Sequence, residues 1–388
     1  MNSSLIRRFN NGQTKRITGF LLGGLAATTV LAGCSAESGV DAAEASVLPA
    51  AKVKTDLNAM VGNGVPGGII FIRNGNDTVS TVAGRAELKP KRQMKASQRY
   101  RIGSETKSMV AAVAFQLAEE GQLKLKGTVD DWFPGLIANG SDITILDLLK
   151  HTSGIPDYLA SDQPFAPYIA GHFNHVWKPT QLIGFATSMG TSFAPGSRQS
   201  YSNTNYTILS LIIQKASGKT LSAELRSRIF KPVGMNRSSV GTNPKIKGPH
   251  AHGYLIQRGA DPLDVTGVSP SVYWGAGNVI STVADVADFY DALLGGDLVS
   301  AASLAEMKKS GPMKKGFALG AGLVHGKFQC GKWVGHDGAV AGYSSVALKM
   351  DSGRTVVAMA NSLTFSDQVG SPKAVAAWKR LIEEAACS

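Results

Sequence analysis

Tyr100-Arg101-Ile102-Gly103-Ser104-Glu105-Thr106-Lys107-Ser108-Met109-Val110 (residues 100–110) decides the reading of this chain. From about Ser104 onward Met109, Val110, Val113, Ala114, Leu117 and Ala118 recur at helical spacing, and Gly121 closes the run. Lys107 stands three residues after Ser104, which on a helix puts both side chains on one face. A serine hydroxyl is a poor nucleophile until a base takes its proton, and a lysine serves as that base only where burial or a positive neighbour keeps it neutral. Ser104 at a helix N-terminus also lies among free backbone N–H groups suited to a developing oxyanion. Serine and lysine at this spacing are common by chance. Taken alone, these four residues read more readily as a helix-capping Ser104 with a solvated Lys107.

Two further clusters raise the chemical reading. In Tyr201-Ser202-Asn203 the phenol can relay protons if nearby lysine charge lowers its pKa. Asn203 can accept from Lys107 and donate to a substrate carbonyl. In His336-Asp337-Gly338-Ala339, Gly338 admits a substrate close to the backbone and the N–H of Ala339 is a second oxyanion donor. His336 can polarise the site or assist proton transfer. Singly, Tyr201 reads as a core or interface ring and His336 as a hydrogen-bonded structural imidazole; the three clusters count together.

Outward from these clusters the chain divides into regions. Ala51–Met60 reads as a short helix, Gly67–Arg73 as an apolar strand, Asn74-Gly75 as a hairpin turn and Thr78–Ala83 as the return strand. Helical and loop patterns run to about residue 300. Phe317–Val324, Lys332–Gly335, Tyr343–Met350 and Arg354–Asn361 then read as strands, and Ser371–Ala386 as a closing helix. Strands at both ends with helices between them argue against simple β-α-β alternation. The expectation is an α+β fold: an antiparallel sheet built from both termini, flanked by helices, with an inserted all-helical lobe at about 105–300 and a cleft between them.

The first residues read as a targeting segment. Arg7, Arg8, Lys15 and Arg16 precede an apolar stretch from about Phe20 to Ala32. That stretch falls short of the ~20 residues a membrane-spanning helix needs and suits a signal peptide. It ends in Val30-Leu31-Ala32-Gly33-Cys34, which resembles the lipobox of bacterial lipoproteins. The expected organisation is a lipoprotein signal peptide at 1–33, a tether at 34–48 and one hydrolase domain at 49–388. Lipidation of Cys34 would anchor the protein to the outer face of the cytoplasmic membrane; simple secretion is the alternative. Cys330 and Cys387 form an even pair, which in an oxidising compartment invites one disulfide from the final helix to a strand near the third cluster. Two buried thiols are the alternative.

Composition excludes several classes. Of 388 residues, 43% are hydrophobic and 18% charged, which suits a folded chain and not a disordered one. The net charge of +12 is not gathered into a basic run, so nucleic acid is not an expected partner. His172/His175 and His250/His252 have metal-like spacing but lack a carboxylate or cysteine to complete a set, so no metal or cofactor is expected. Trp177 and Trp274 suit either a cleft wall or the core.

The three clusters together resemble the serine β-lactamase-like superfamily, in the branch of D-alanyl-D-alanine carboxypeptidases and class C β-lactamases. Leu148-Leu149-Lys150-His151-Thr152-Ser153-Gly154-Ile155, Phe193-Ala194-Pro195-Gly196, Ile229-Phe230-Lys231-Pro232-Val233-Gly234-Met235 and Gly277-Asn278-Val279-Ile280-Ser281-Thr282 carry the likeness across about 67–387. Tyr201-Ser202-Asn203-Thr204-Asn205, His250-Ala251-His252-Gly253-Tyr254-Leu255 and the Cys330/Cys387 pair resemble the secreted actinomycete carboxypeptidases more closely. The resemblance implies Ser104 as nucleophile, Lys107 as general base, Tyr201 as proton relay, Asn203 on the acyl side and His336 in the place of a motif lysine or histidine. The N–H groups of Ser104 and Ala339 would form the oxyanion hole. It further implies an acyl-enzyme and peptidoglycan peptides or β-lactams as substrates; a monomer is expected. Three positions depart from the carboxypeptidase pattern. Asp337 and Ala339 stand where hydroxyls flank the motif glycine, and Val324 stands where an arginine would hold a substrate carboxylate, with His325 and Lys327 nearby. Beside a bound carboxylate, Asp337 would be repulsive. β-Lactam, ester or D-amino-acid amide hydrolysis, or slow penicillin binding, are therefore the alternatives.

Overall fold

The computed structural model describes residues 49–256, 260–313, 316–363 and 371–388. The leader, Cys34 and the tether lie outside the described residues. Helix α1 (Ala50–Gly62) leads into β1 (Gly67–Asn74), β2 (Asp77–Glu87) and the short β3 (Arg92–Gln93). The C-terminal third adds β4 (Phe317–Leu319), β5 (Val324–Phe328), β6 (Gly331–Val340), β7 (Tyr343–Met350) and β8 (Thr355–Ala360). These eight strands form one antiparallel sheet in the order β3-β2-β1-β8-β7-β6-β5-β4. The two ends of the chain meet where β1 pairs β8, with Ile69 opposite Met359 and Phe71 opposite Val357. The α+β architecture is thus an antiparallel sheet assembled from both termini.

The sheet is covered on both faces, and alternation along each strand sorts the side chains. Ile70, Ile72, Val346, Leu348, Val356 and Ala358 pack with Val53 and Leu57 of α1 and with Trp378 and Leu381 of the last helix. Burying one such side chain stabilises by about 1.5–3 kcal/mol. Ile69, Phe71, Ala347, Val357 and Met359 face the other way, into the core shared with the inserted segment. There α2 (Thr106–Glu119) is buried from Thr106 through Phe115, so it presents no solvent face over that stretch and lies between sheet and lobe. Helices α3 (Asn203–Ser217) and α4 (Val283–Gly295) follow, and α5 (Pro372–Cys387) closes the chain. Helix α4 packs on β1, β7 and β8 and so belongs with the sheet. Asp291 at its end accepts from Thr355 and Lys349 and pairs with Arg73.

Local differences from the sequence expectation have physical causes. The lobe is mainly helical but carries two small ladders. One joins Tyr100–Arg101, Val279–Ser281 and Ser239–Val240; the other joins Tyr254–Leu255 and Leu263–Asp264. The single strand expected over Phe317–Val324 is two, parted by Gly320-Ala321-Gly322-Leu323. Gly322 has φ +71°, and a Cβ there would lie 2.5 Å from the Ala111 Cβ and 2.9 Å from the Lys107 carbonyl oxygen. The chain turns there to let β5 begin against α2. Strand β6 runs on past Gly335 to Val340, so the third cluster is itself strand. Cys330, in the turn between β5 and β6, is disulfide-bonded to Cys387 at the end of α5.

Candidate active site

The Ser104 turn is pinned from two sides. Gly103–Glu105 forms a single 3₁₀ turn that runs directly into α2. Gly103 has φ +60°, and a Cβ on it would stand 2.7 Å from the Ala339 nitrogen, so the turn and β6 meet main chain to main chain. On one side Ile102 N–H donates to the Val279 carbonyl and Val279 N–H donates to Thr106 Oγ1, both at 3.1 Å. On the other, Ser345 Oγ of β7 donates to the Ile102 carbonyl at 2.9 Å. The N–H groups of Ser104 and Ala339 therefore belong to two backbones in contact, as an oxyanion hole requires.

Lys107 is fully buried one turn below. Its Nζ lies 3.0 Å from Ser104 Oγ, 2.8 Å from Asn203 Oδ1 and 2.7 Å from the Ala276 carbonyl. Burial lowers its pKa from 10.5 to about 7, opposed by the charges of Asp157 and Asp337. The neutral amine has two N–H bonds, and Asn203 and Ala276 supply two acceptors. The nitrogen lone pair then remains for the Ser104 hydroxyl. In that state Ser104 donates and Lys107 accepts.

The aromatic groups complete the floor. The Lys107 ammonium position is 4.8 Å from the Tyr201 ring centroid and 5.6 Å from that of Tyr206. Tyr201 stacks on His151 at 4.4 Å and meets the His336 ring edge-on at 6.2 Å. Sequence reasoning expected lysine charge to lower the Tyr201 pKa. The structure corrects this: burial raises it well above 10, and a smaller influence from Ser104 lowers it. Lys107 lies over the ring face, and its burial favours the neutral amine. The Tyr201 hydroxyl is out of solvent and has no hydrogen-bond partner of good geometry among the described residues. It is therefore a neutral phenol able to donate a proton, not a phenolate.

His336 is 3% exposed, and burial lowers its pKa to about 4, with Asp337 raising it and Lys107 lowering it further. Its Nδ1 lies 2.6 Å from the Asp337 carbonyl oxygen. That oxygen can only accept, so Nδ1 carries the hydrogen and Nε2 is the free acceptor. Ser104, Lys107, Tyr201, Asn203, His336, Gly338 and Ala339 thus converge from the 3₁₀ turn and first turn of α2, the loop before α3 and its first residue, and β6.

Asp337 stands apart. Strand alternation turns it to the opposite face from His336, and its side chain is half exposed, yet its charge acts on Lys107, His336 and Tyr201. Val324 is buried in the core beneath α1 and α5, so it faces away from the site. Its neighbour His325 is on the site face, opposite Val334.

Two groups had no assigned role in the sequence reading. Asp157 Oδ2 accepts from Asn203 Nδ2 at 2.8 Å and so orients the amide that faces Lys107. His151, quoted only within a matching segment, has its Nδ1 accepting from Ser202 N–H at 3.2 Å; burial pushes its pKa well below 6.5. Its φ of +59° caps the helix Ile145–Lys150 and lays the ring under Tyr201. Of the paired histidines, His252 bonds Asp264 and stacks on His250, and His175 packs on Trp177. Trp177 and Trp274 both pack against the main core.

Comparison with known proteins agrees with this arrangement. The chain is 29% identical over 296 residues to penicillin-binding protein 4* of Bacillus subtilis, a match covering 72% of this chain and 64% of that protein's length. The fold matches a D-stereospecific amidohydrolase from Streptomyces with a TM-score of 0.75 and 33% identity, over 84% of this chain and 97% of the other. It matches the D-amino acid amidase of Ochrobactrum anthropi, solved with L-phenylalanine amide, with a TM-score of 0.76 and 27% identity, over 86% and 97%. The profile described as Beta-lactamase matches residues 52–377, a span that holds all three clusters, and the chain belongs to that family of serine hydrolases.

Proposed function

We propose that this protein hydrolyses amide bonds next to a D-configured residue through an acyl-enzyme on Ser104. The observation that carries this reading is the Lys107 amine, buried, held by two acceptors and 3.0 Å from Ser104 Oγ. Neutral Lys107 takes the Ser104 proton as Oγ attacks the substrate carbonyl carbon. The N–H groups of Ser104 and Ala339 stabilise the oxyanion. The proton passes by way of the neutral Tyr201 phenol to the departing amine nitrogen as the C–N bond breaks. Water then attacks the ester, giving up its proton to the same base, and Ser104 regains its hydrogen. Asn203 holds Lys107 and offers its second amide hydrogen to the acyl side. His336 Nε2 accepts from substrate or water.

Within this class, D-amino-acid amides and peptides are favoured over substrates ending in a free carboxylate. The charge of Asp337 reaches the catalytic groups and Val324 supplies no cation. The likeness to amidohydrolases of known structure over nearly their whole length supports the same choice. D-alanyl-D-alanine carboxypeptidase activity on peptidoglycan is the second reading, supported by likeness to penicillin-binding protein 4*. Export, and membrane anchoring through Cys34, belong to the proposal on sequence grounds alone.

The test is an intact-mass time course of the mature protein with penicillin, a D-Ala-D-Ala tripeptide and D-phenylalanine amide. Acylation at Ser104, abolished in Ser104→Ala, with faster turnover of the amide, is the expected result. Turnover of the tripeptide alone would move the assignment to the carboxypeptidase. A lasting penicillin adduct without turnover of either substrate would make the protein a penicillin-binding one. No acylation by any of the three would end the proposal.

A further inference from the structure

The residue after the nucleophile is a carboxylic acid, buried, with no cation acting on it among the described residues. Glu105 is 0% exposed, and neither carboxyl oxygen has a hydrogen-bond partner of good geometry among the described residues. Ser345 is close enough to act on it, and burial, the larger effect, favours the neutral acid. A buried carboxylate without a positive partner is very costly, whereas a neutral acid with one hydrogen bond is tolerated. The titratable groups around it supply no positive charge: Tyr100 just before the turn and Tyr290 on α4 are buried phenols that respond to Glu105, and Asp337 on β6 is acidic.

Hydrogen-bond direction adds an independent argument. The single hydroxyl proton of Ser345 is given to the Ile102 carbonyl at 2.9 Å. Ser345 can then offer Glu105 only an oxygen lone pair. A carboxylate, which only accepts, has nothing to bond there; the acid does. Ser345 is also the register partner of Gly338, whose Cα presses on the Ile102 carbonyl so closely that a Cβ would stand 2.0 Å from that oxygen.

We propose that Glu105 is a positioning residue for catalysis: it donates to Ser345, which donates to the Ile102 carbonyl, and this chain holds the Ser104 turn against the strand that carries Ala339. The inference rests on the Ser104 reading for its catalytic consequence but not for the bond itself. Glu105 touches no substrate; it fixes the spacing of the two oxyanion N–H groups. The neutral amide of Glu105→Gln keeps a donor at the same reach, whereas Glu105→Ala and Ser345→Ala break the chain.

The experiment combines two readouts on the mature protein. Infrared difference spectra of wild type against Glu105→Gln at pH 7 should show a protonated carboxyl carbonyl band, and that band should move in Ser345→Ala. Labelling of Ser104 by a fluorophosphonate, followed by intact mass, should be nearly unchanged in Glu105→Gln and slowed roughly tenfold to a hundredfold in Glu105→Ala and Ser345→Ala. The double alanine variant should be no slower than either single one. Hydrogen exchange over the rest of the chain shows whether each variant is folded, and exchange should rise at residues 102–107 alone. A carboxylate band, a band indifferent to Ser345→Ala, or wild-type labelling by a folded Glu105→Ala protein would each overturn the proposal. If wild type itself does not label, the proposed function fails, and the infrared band with local exchange alone decides the Glu105 bond.

Discussion

Asn203 Nδ2 donates to Asp157 Oδ2 at 2.8 Å, and its Oδ1 on the other side accepts from Lys107 at 2.8 Å. One amide thus connects a half-buried acid to the buried amine without direct contact between them. The arrangement fixes which end of Asn203 faces Lys107: a carboxylate oxygen takes the NH₂ group, so the amine receives the carbonyl end.

The first prediction concerns the pH dependence this chain sets. Lys107 works as a base only when neutral, so acylation should rise with pH through about 7 and level off above it. The Asp157 charge favours the protonated amine, opposing the burial that lowers its pKa. Asp157→Asn keeps an acceptor for Asn203 but removes that charge. The rising limb should therefore move to lower pH, with the plateau retained. Lys107→Met should lose about 10³-fold in acylation at every pH. Single-turnover acylation by penicillin between pH 5 and 9 measures both. A limb that stays in place in Asp157→Asn would show that Asp157 does not tune this amine.

What was legible in the sequence depended on distance along the chain. Ser104 and Lys107 share one helical turn, so their contact follows from spacing alone. Tyr201, Asn203 and His336 could be joined to them only through family resemblance, because their meeting depends on how α3 and β6 pack around α2. Asp157 left no local signal. It arrives on the loop from His151 to Tyr158, in a stretch whose backbone is set by Ser202 and Thr204 hydroxyls donating to the Pro156 carbonyl. The strand break at Gly320–Gly322 was invisible for a similar reason, since the pressing neighbour is Ala111, two hundred residues earlier in the chain. The Tyr201 pKa goes the other way from the sequence reading because burial, a tertiary quantity, dominates there.

The second prediction isolates the close approach of β6 to the nucleophile turn. A Cβ at Gly338 would stand 2.0 Å from the Ile102 oxygen and 2.4 Å from Ser345 Oγ. Backbone cannot yield cheaply there, so Gly338→Ala should cost about 1–3 kcal/mol in stability. Separation of the two oxyanion N–H groups should cost roughly 10²-fold or more in acylation. Gly184, exposed inside the helix Pro179–Thr187 with nothing within 4 Å of its Cβ position, is the contrast. Gly184→Ala should stabilise by about 0.5–1 kcal/mol and leave acylation unchanged. Calorimetry and fluorophosphonate labelling read both variants. Wild-type labelling in Gly338→Ala would show that the turn and strand have more play than this packing allows.

The third prediction separates stability from activity. The Cys330–Cys387 bond closes a loop of 57 residues that contains β6, β7, β8 and α5. Loop-closure entropy puts its contribution at about 4 kcal/mol, as an upper figure for a native cross-link. It lies on the α1/α5 side of the sheet, where Trp378, Leu381 and Ala385 keep α5 packed against β8 and α1 even without it. None of Ser104, Lys107, Tyr201 or His336 bonds to either cysteine or to α5. Cys330→Ser/Cys387→Ser should therefore unfold at a lower temperature and denaturant concentration while its acylation rate at 25 °C stays within about twofold of wild type, as expected for distant, independent sites. Urea melts of oxidised, reduced and double-serine protein, with labelling rates at 25 °C, make the comparison. If reduction slowed Ser104 labelling while the protein remained folded, the bond would be holding β6, and through it Ala339, in register, and the separation drawn here between the two faces of the sheet would not stand.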